Sequence, residues 1–146
     1  MAGSDVSARQ SAKRQSAEYL AAERLGRRAE RRAALFLQLK GYAIRDRRVR
    51  TPRGEIDLIV TKGSTLAFIE VKARTSADAL QDPATLVPPQ NWARIAAASA
   101  IWRARASLMP KIVRFDLILV RRGIPCHVKD AYRPDAPTGR DGAGLF

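Results

Sequence analysis

The sequence has one cysteine, Cys126, and one histidine, His127. A lone cysteine cannot close an intramolecular disulfide, and the pair falls short of the four ligands of a structural zinc site. A reducing, cytoplasmic setting is the expectation, and any bound metal must be held by carboxylates, as Mg²⁺ or Mn²⁺ is. No apolar run approaches the ~20 residues that a membrane-spanning helix needs, so no membrane role is expected. Residues 1–15 lack the apolar stretch of a secretory signal, although their basic, Ser-rich composition also suits a transit peptide. Acidic residues are scarce: 14 Asp and Glu face 27 Lys and Arg, for a formal net charge of +13. A field of that sign draws polyanions, nucleic acid before anionic membrane.

What is present fits one globular domain. A chain of 146 residues, 46% of them apolar, can bury a real core. Residues 1–15 are expected to form a disordered basic arm. From 16 to 40 the pattern is helical: Leu25, Ala29, Ala33 and Phe36 share a face, Leu37 and Leu39 flank it, and Gly41 ends it. Arg32 falls inside this apolar arc, so its stem must snorkel outward. Residues 42–50 read as a charged strand, 51–54 as a turn, and 55–61 and 66–72 as two further strands. A loop over 73–89 carries Pro83, Pro88 and Pro89, and loops of such length are often functional. A second helix over 90–106 places Trp92, Ile95, Ser99, Trp102 and Ala106 on one face. Strands at 112–120 and 124–132 follow, the latter weakened by Pro125, and 133–146 reads as a flexible tail. The order is helix, three strands, helix, one or two strands: an α/β domain over 16–132 with a mixed sheet.

Gly63 and Ser64 can form a two-residue hairpin loop, since a glycine at the first central position suits a type II′ turn. Lys62 then pairs with Thr65, and counting back sets Asp57 opposite Glu70 and Glu55 opposite Lys72. By the period of two, Ile56, Leu58, Val60, Ala67, Ile69 and Val71 form an apolar face that must pack on a helix. The other face is apolar near the turn and charged at its far end. Two facing carboxylates ~5 Å apart at Cβ repel each other. A divalent cation held between them removes that penalty. With Lys72 beside it, the set could hydrolyse a phosphodiester, because metal and ammonium both stabilise developing negative charge. The spacing equally allows a plain surface, with Asp57 paired to Lys72 and both glutamates in solvent.

The string Gly54-Glu55-Ile56-Asp57-Leu58-Ile59, followed by Phe68-Ile69-Glu70-Val71-Lys72, resembles the PD-(D/E)XK nuclease superfamily. Within it the chain is most similar to the YraN family, whose fold is like that of archaeal Holliday junction resolvases. Residues 26–30, Lys40-Gly41-Tyr42 and Arg114-Phe115-Asp116 also fit, so the likeness covers about residues 22–132. The resemblance implies an αβββαβ restriction-endonuclease-like core and a Mg²⁺- or Mn²⁺-dependent endonuclease. It implies Asp57 and Glu70 as metal ligands, the Val71 carbonyl as a third, Lys72 as the catalytic lysine and Glu30 as the acidic residue from the first helix. From the residues themselves, Glu30 borders the apolar arc and either reaches the sheet or stays solvated. The family's lysine early in the second helix is replaced here by Gln90 or Asn91, amides that can bind phosphate or water without charge.

The first 50 residues hold 13 of the 27 basic side chains against five acidic ones. Arg27, Arg31, Arg48, Arg53 and Arg74, with Gln90 and Asn91, are the candidate contacts to a nucleic-acid backbone, DNA ahead of RNA. Trp92 and Trp102 read as core, Asp116 with Arg114 as a structural pair, Cys126 as a small buried hydrophobe and His127 as an ordinary strand residue. Two functions follow. The first is a nuclease on DNA, branched forms included, and the second is a nucleic-acid-binding protein that keeps the fold with weak or absent turnover. A homodimer stays open.

Overall fold

The computed structural model describes residues 3–75 and 82–134. The elements run α1 (Gly3–Leu39), β1 (Ala43–Thr51), β2 (Gly54–Lys62), β3 (Thr65–Arg74), α2 (Pro89–Arg105), β4 (Ile112–Arg121) and β5 (Ile124–Tyr132). One five-stranded sheet follows chain order, β1-β2-β3-β4-β5. Its pairs are antiparallel except β3–β4, which α2 joins as a parallel crossover. This is the expected α/β core with a mixed sheet, αβββαβ with one more strand. Among the described residues no helix is long and apolar enough to cross a membrane. Most of the tail expected over 133–146 lies outside the described residues.

Each sheet face carries one helix. Ala29, Ala33, Ala34 and Leu37 of α1 are buried against Leu58, Val60, Ala67, Ile69, Ile118 and Val120. Alanines here let the helix lie close to the strands. The helix ends as Gly41 turns to φ +89°, with the Gly41 N–H donating to Gln38 O and the Tyr42 N–H to Leu37 O, both at 3.0 Å. That pair of bonds satisfies carbonyls the last turn would otherwise orphan. On the opposite face Trp92, Ile95 and Ala98 of α2 pack on Ile59, Leu66, Phe68, Phe115, Leu117 and Leu119. Trp92 is therefore core, and half-buried Trp102 is tied to the fold by its indole N–H, which donates to Asp46 Oδ2 at 3.0 Å.

Four expectations need correction. The helix begins at Gly3 rather than near residue 16, although every described side chain from 5 to 25 is exposed. Apolar periodicity cannot reveal a helix segment with no partner. Its composition of Ala, Gln, Glu, Arg and Lys favours helix by propensity, helped by ion pairs Asp5–Arg9 (3.1 Å) and Glu23–Arg27 (2.8 Å) one turn apart. For the same reason Leu25 is exposed, and the buried face starts at Ala29. Ile56 does not share a face with Leu58: it packs under α2, whereas Leu58 and Val60 pack under α1. The β1–β2 ladder skips the Arg48–Asp57 pair, and Arg48 adopts a positive φ of +47°, so alternation breaks at Asp57. Cys126 is exposed, because β5 is an edge strand with one open face.

Asp116 is fully buried, and its pairing with Arg114 is as expected. Both carboxylate oxygens accept from Arg114 at 2.8 Å, and Oδ1 also accepts the Asp130 N–H at 2.9 Å. His127 is more than an ordinary strand residue: Nε2 lies 2.8 Å from Asp116 and Nδ1 lies 2.9 Å from Lys40 Nζ. With Lys40 as an ammonium, Nδ1 accepts and Nε2–H donates to the carboxylate. Burial alone would raise the Asp116 carboxyl, but the His127, Arg114 and Asp130 donors outweigh it and hold it below its ordinary value.

Candidate active site

The hairpin register is the expected one from Lys62↔Thr65 to Leu58↔Ile69. Gly63 sits at φ +57°, the left-handed position that the turn requires. Beyond Leu58 the two strands diverge. Asp57 Oδ2 accepts the Val71 N–H at 2.7 Å, so a side chain takes the bond that a further ladder rung would have used. Asp57 and Glu70 are neighbours, close enough for a protonated Asp57 to donate to Glu70. Glu55 is not opposite Lys72. It lies in the open, 3.4 Å from Arg50 on β1. Lys72 Nζ instead stands 3.0 Å from Glu70 Oε1, so the ion pair of the alternative reading is made by Glu70 and not by Asp57.

Two small hollows flank Asp57. One, about 300 Å³, opens toward α1 and is lined by Arg27, Glu30, Arg48 and Glu55 among others. The second, about 320 Å³, opens toward α2 and is lined by Gly54, Glu70, Asn91 and Arg94. Gly54 is required by packing: a Cβ there would come within 2.9 Å of the Arg94 carbonyl oxygen. The turn before it is held by Thr51 Oγ1, which donates to Gly54 O at 2.9 Å. Glu30 reaches the site from α1 and accepts from Arg48 Nε at 2.7 Å.

The electrostatics follow from this crowding. Burial raises the Asp57 carboxyl, the Glu70 carboxylate raises it further, the Val71 N–H pulls it back, and Glu30 adds to the rise; the result is about 8. A carboxyl raised first by burial and then by a neighbouring carboxylate is an oxygen donor set suited to a cation. No three His, Cys, Asp or Glu side chains gather as a metal cluster among the described residues. The donor set that fits a divalent ion is the Asp57–Glu70 pair, which backbone oxygen would have to complete.

The other sequence candidates divide. Arg48 and Asn91 line the hollows, and Arg27 does so while paired to Glu23 at 2.8 Å. Gln90 and Arg31 are exposed and line neither hollow, and Arg53 sits exposed at the β1–β2 turn. Arg74 lines a different hollow, on the other flank of α1. Arg94 was not singled out in the sequence. Its signal is the spacing of three from Asn91, which puts both on one side of α2.

Comparison with known proteins bears on the whole core. The family described as Uncharacterised protein family UPF0102 matches residues 29–120, well over half of the chain. A UPF0102 protein of Parvibaculum lavamentivorans is 46% identical over 116 residues, covering 79% of this chain and 86% of the relative. One from Bradyrhizobium sp. (strain ORS 278) is 46% identical over 123 residues, covering 83% and 85%. One from Maricaulis maris is 47% identical over 116 residues, covering 77% and 88%. The matched span runs from the buried stripe of α1 to the end of β4 and takes in Glu30, Asp57, Glu70 and Lys72, and by that span and those identities the chain belongs to the UPF0102 family, the YraN family.

Proposed function

We propose that this protein is a divalent-metal-dependent nuclease of the PD-(D/E)XK type that hydrolyses DNA, branched or structured DNA included. The observation that carries the reading is the Asp57–Glu70 pair, with Lys72 3.0 Å from Glu70, at the point where β2 and β3 diverge. A carboxyl that burial and a neighbouring carboxylate keep from ionising in its ordinary range is a cost to the fold that a purely structural site has no reason to keep. Asp57 and Glu70 would hold Mg²⁺ or Mn²⁺, with the Val71 carbonyl a candidate third donor. When bound, the cation neutralises charge developing on the phosphoryl oxygens and makes water more acidic.

The chain's own groups supply the rest. The Val71 N–H fixes the Asp57 carboxylate by its 2.7 Å bond, so the ligand is oriented before anything arrives. Lys72, released from Glu70 when that carboxylate is engaged, places a positive charge beside the phosphate and orients water. Arg48, from β1, holds Glu30 of α1 in place. Asn91 and Arg94 face the same hollow from α2, the amide as a donor and the guanidinium as a cation where the family has a helix lysine. Hydrolysis breaks one P–O ester bond, forms one from water, and returns a proton to the departing oxygen.

The test is cleavage of duplex and four-way-junction DNA in Mg²⁺ by the native chain and by Asp57→Asn. Loss of cleavage with binding retained supports the reading, and equal cleavage by both proteins removes it. A second reading, binding without turnover, draws on the Lys72–Glu70 ion pair and on the Gln90-Asn91 replacement. It is favoured if neither Mg²⁺ nor Mn²⁺ gives cleavage while DNA binding is tight and salt-dependent.

A further inference from the structure

We propose that an arginine-lined hollow on the far flank of α1 is a second phosphate site, which grips the backbone of a nucleic acid away from the Asp57–Glu70 pair. It rests on the reading of nucleic acid as the partner, but it does not need cleavage. The hollow, about 370 Å³, takes Arg28 and Arg32 from α1, Arg74 from the end of β3 and Arg122 from the β4–β5 turn. Its floor is apolar, with Ala29, Ala73 and Val120, and among the described residues neither Asp nor Glu lines it.

The contrast with the other flank of the helix is one of pairing. In the hollow between Asp57 and α1 the arginines are matched: Arg27 with Glu23 at 2.8 Å, Arg48 with Glu30 at 2.7 Å, Arg50 with Glu55 at 3.4 Å. In the arginine hollow the partners among the described residues are backbone carbonyls. Arg32 Nη1 donates to Gly123 O at 3.0 Å, and Arg74 Nη1 donates to Ala73 O at 2.8 Å. A carbonyl orients a guanidinium without cancelling its charge, and its other N–H groups are left to fork onto an anion. Four cations sharing one hollow repel each other until an anion enters.

The turn that delivers Arg122 is built at a cost. Arg122 and Gly123 both have positive φ, +48° and +76°, the pattern of a type I′ loop that favours Asn-Gly. An arginine in the left-handed region is strained, and such strain concentrates at binding sites. A side chain at position 123 would collide with the Arg32 guanidinium, so the glycine also makes room for its neighbour. Gly26, Arg27 and Glu30 look onto the Asp57 side, while Arg28, Ala29 and Arg32 look onto the arginine hollow. A ligand engaging both must pass over α1, which needs a polynucleotide rather than a free phosphate or a mononucleotide.

The experiment uses the full chain in EDTA and a fluorescein-labelled 25-base-pair duplex, followed by anisotropy over a range of salt. The triple variant R28Q/R74Q/R122Q should bind at least about tenfold more weakly. The slope of log K against log salt should become shallower by ~1–2, since each lost phosphate contact removes about one counterion. A control, R103Q/R105Q/K111Q, removes the same charge from exposed positions near the end of α2 and should change both far less. Arg122→Gly relaxes the turn, so it should melt at a higher temperature and yet bind the duplex more weakly. Equal losses in the two triple variants would reduce the hollow to a share of net charge and overturn the proposal. So would calorimetric binding of inorganic phosphate that R28Q/R74Q/R122Q abolishes while leaving duplex binding intact. Because EDTA keeps metal out of the assay, absence of cleavage in the Asp57→Asn experiment leaves this result unaffected.

Discussion

Asp57→Asn should make the metal-free protein more stable, by an amount that grows with pH. The native carboxyl is raised from an ordinary 3.8 to about 8, first by burial and then by Glu70. In that interval the folded chain binds a proton that the unfolded chain has already lost. Stability therefore falls as pH rises from 3.8 through about 8, and is flat beyond. Asparagine is nearly isosteric, does not titrate, still accepts the Val71 N–H and can donate to Glu70. Three pH units, from 5 to 8, correspond at 1.36 kcal/mol per unit to a ceiling of about 4 kcal/mol. Rearrangement of the carboxylate pair and entry of water should reduce this to about 2 kcal/mol.

Urea denaturation of both proteins in EDTA at pH 5, 6, 7 and 8 measures the difference directly. All other titrating groups are shared, so they largely cancel between the two proteins. A difference that does not change with pH would refute the reasoning, because the Asp57 carboxyl would then not be titrating in this window. A variant less stable at every pH would refute it as well, since the pair would then be a net contributor to the fold. Saturating Mg²⁺ should shrink the gap from the native side only, because a ligand that binds the folded state stabilises it.

Two other substitutions probe the frame around the site. Gly54→Ala places a Cβ within 2.9 Å of the Arg94 carbonyl oxygen and should cost about 1–3 kcal/mol in a denaturation experiment, lowering Mg²⁺ affinity with it as α2 is pushed from β2. Asp116→Ala leaves Arg114 and His127 without their buried partner and should cost about 3–5 kcal/mol. Because the Asp116 carboxyl is held below its ordinary value, its contribution is present above that value and lost as pH falls through the lower one, so the native and variant denaturation midpoints should converge in acid.

The fold was legible wherever a period or a turn residue carries it. Gly63-Ser64 set the hairpin register, and that register holds down to Leu58↔Ile69. It could not reveal that the strands diverge at the next residue, because that depends on a carboxylate competing with a ladder bond at Val71. The period of two likewise misplaced Ile56, since the irregularity at Arg48 and Asp57 leaves no mark in an apolar pattern. The Asp57–Glu70 neighbourhood was readable from the hairpin, whereas the reach of Glu30 and Arg94 depends on where two helices dock. Clustering of arginines in the sequence merged two different surfaces. Arg27 and Arg28 are adjacent in the chain, yet one is paired to Glu23 beside Asp57 and the other lines a hollow that holds no carboxylate among the described residues.

That separation follows from how α1 sits. Successive residues on a helix point about 100° apart, so a buried stripe leaves two flanks, one to each side of it. Ala29 and Ala33 form the stripe, 3% and 0% exposed, and nothing larger would let α1 lie so close to Leu58 and Ile69. Closeness brings both flanks within reach of the strand ends: Glu30 toward Arg48 and Asp57, Arg32 toward Gly123. A bulky residue at 33 would lift the helix and weaken both contacts together, although it touches neither. Shifting the helical register by one residue would instead turn the helix by about 100°, bringing Arg28 and Arg31 to the carboxylate pair in place of Arg27 and Glu30. The carboxylates would then be neutralised by side chains and would no longer attract a cation. The alanine stripe thus keeps the anion-seeking flank and the cation-seeking flank apart while holding both against one sheet.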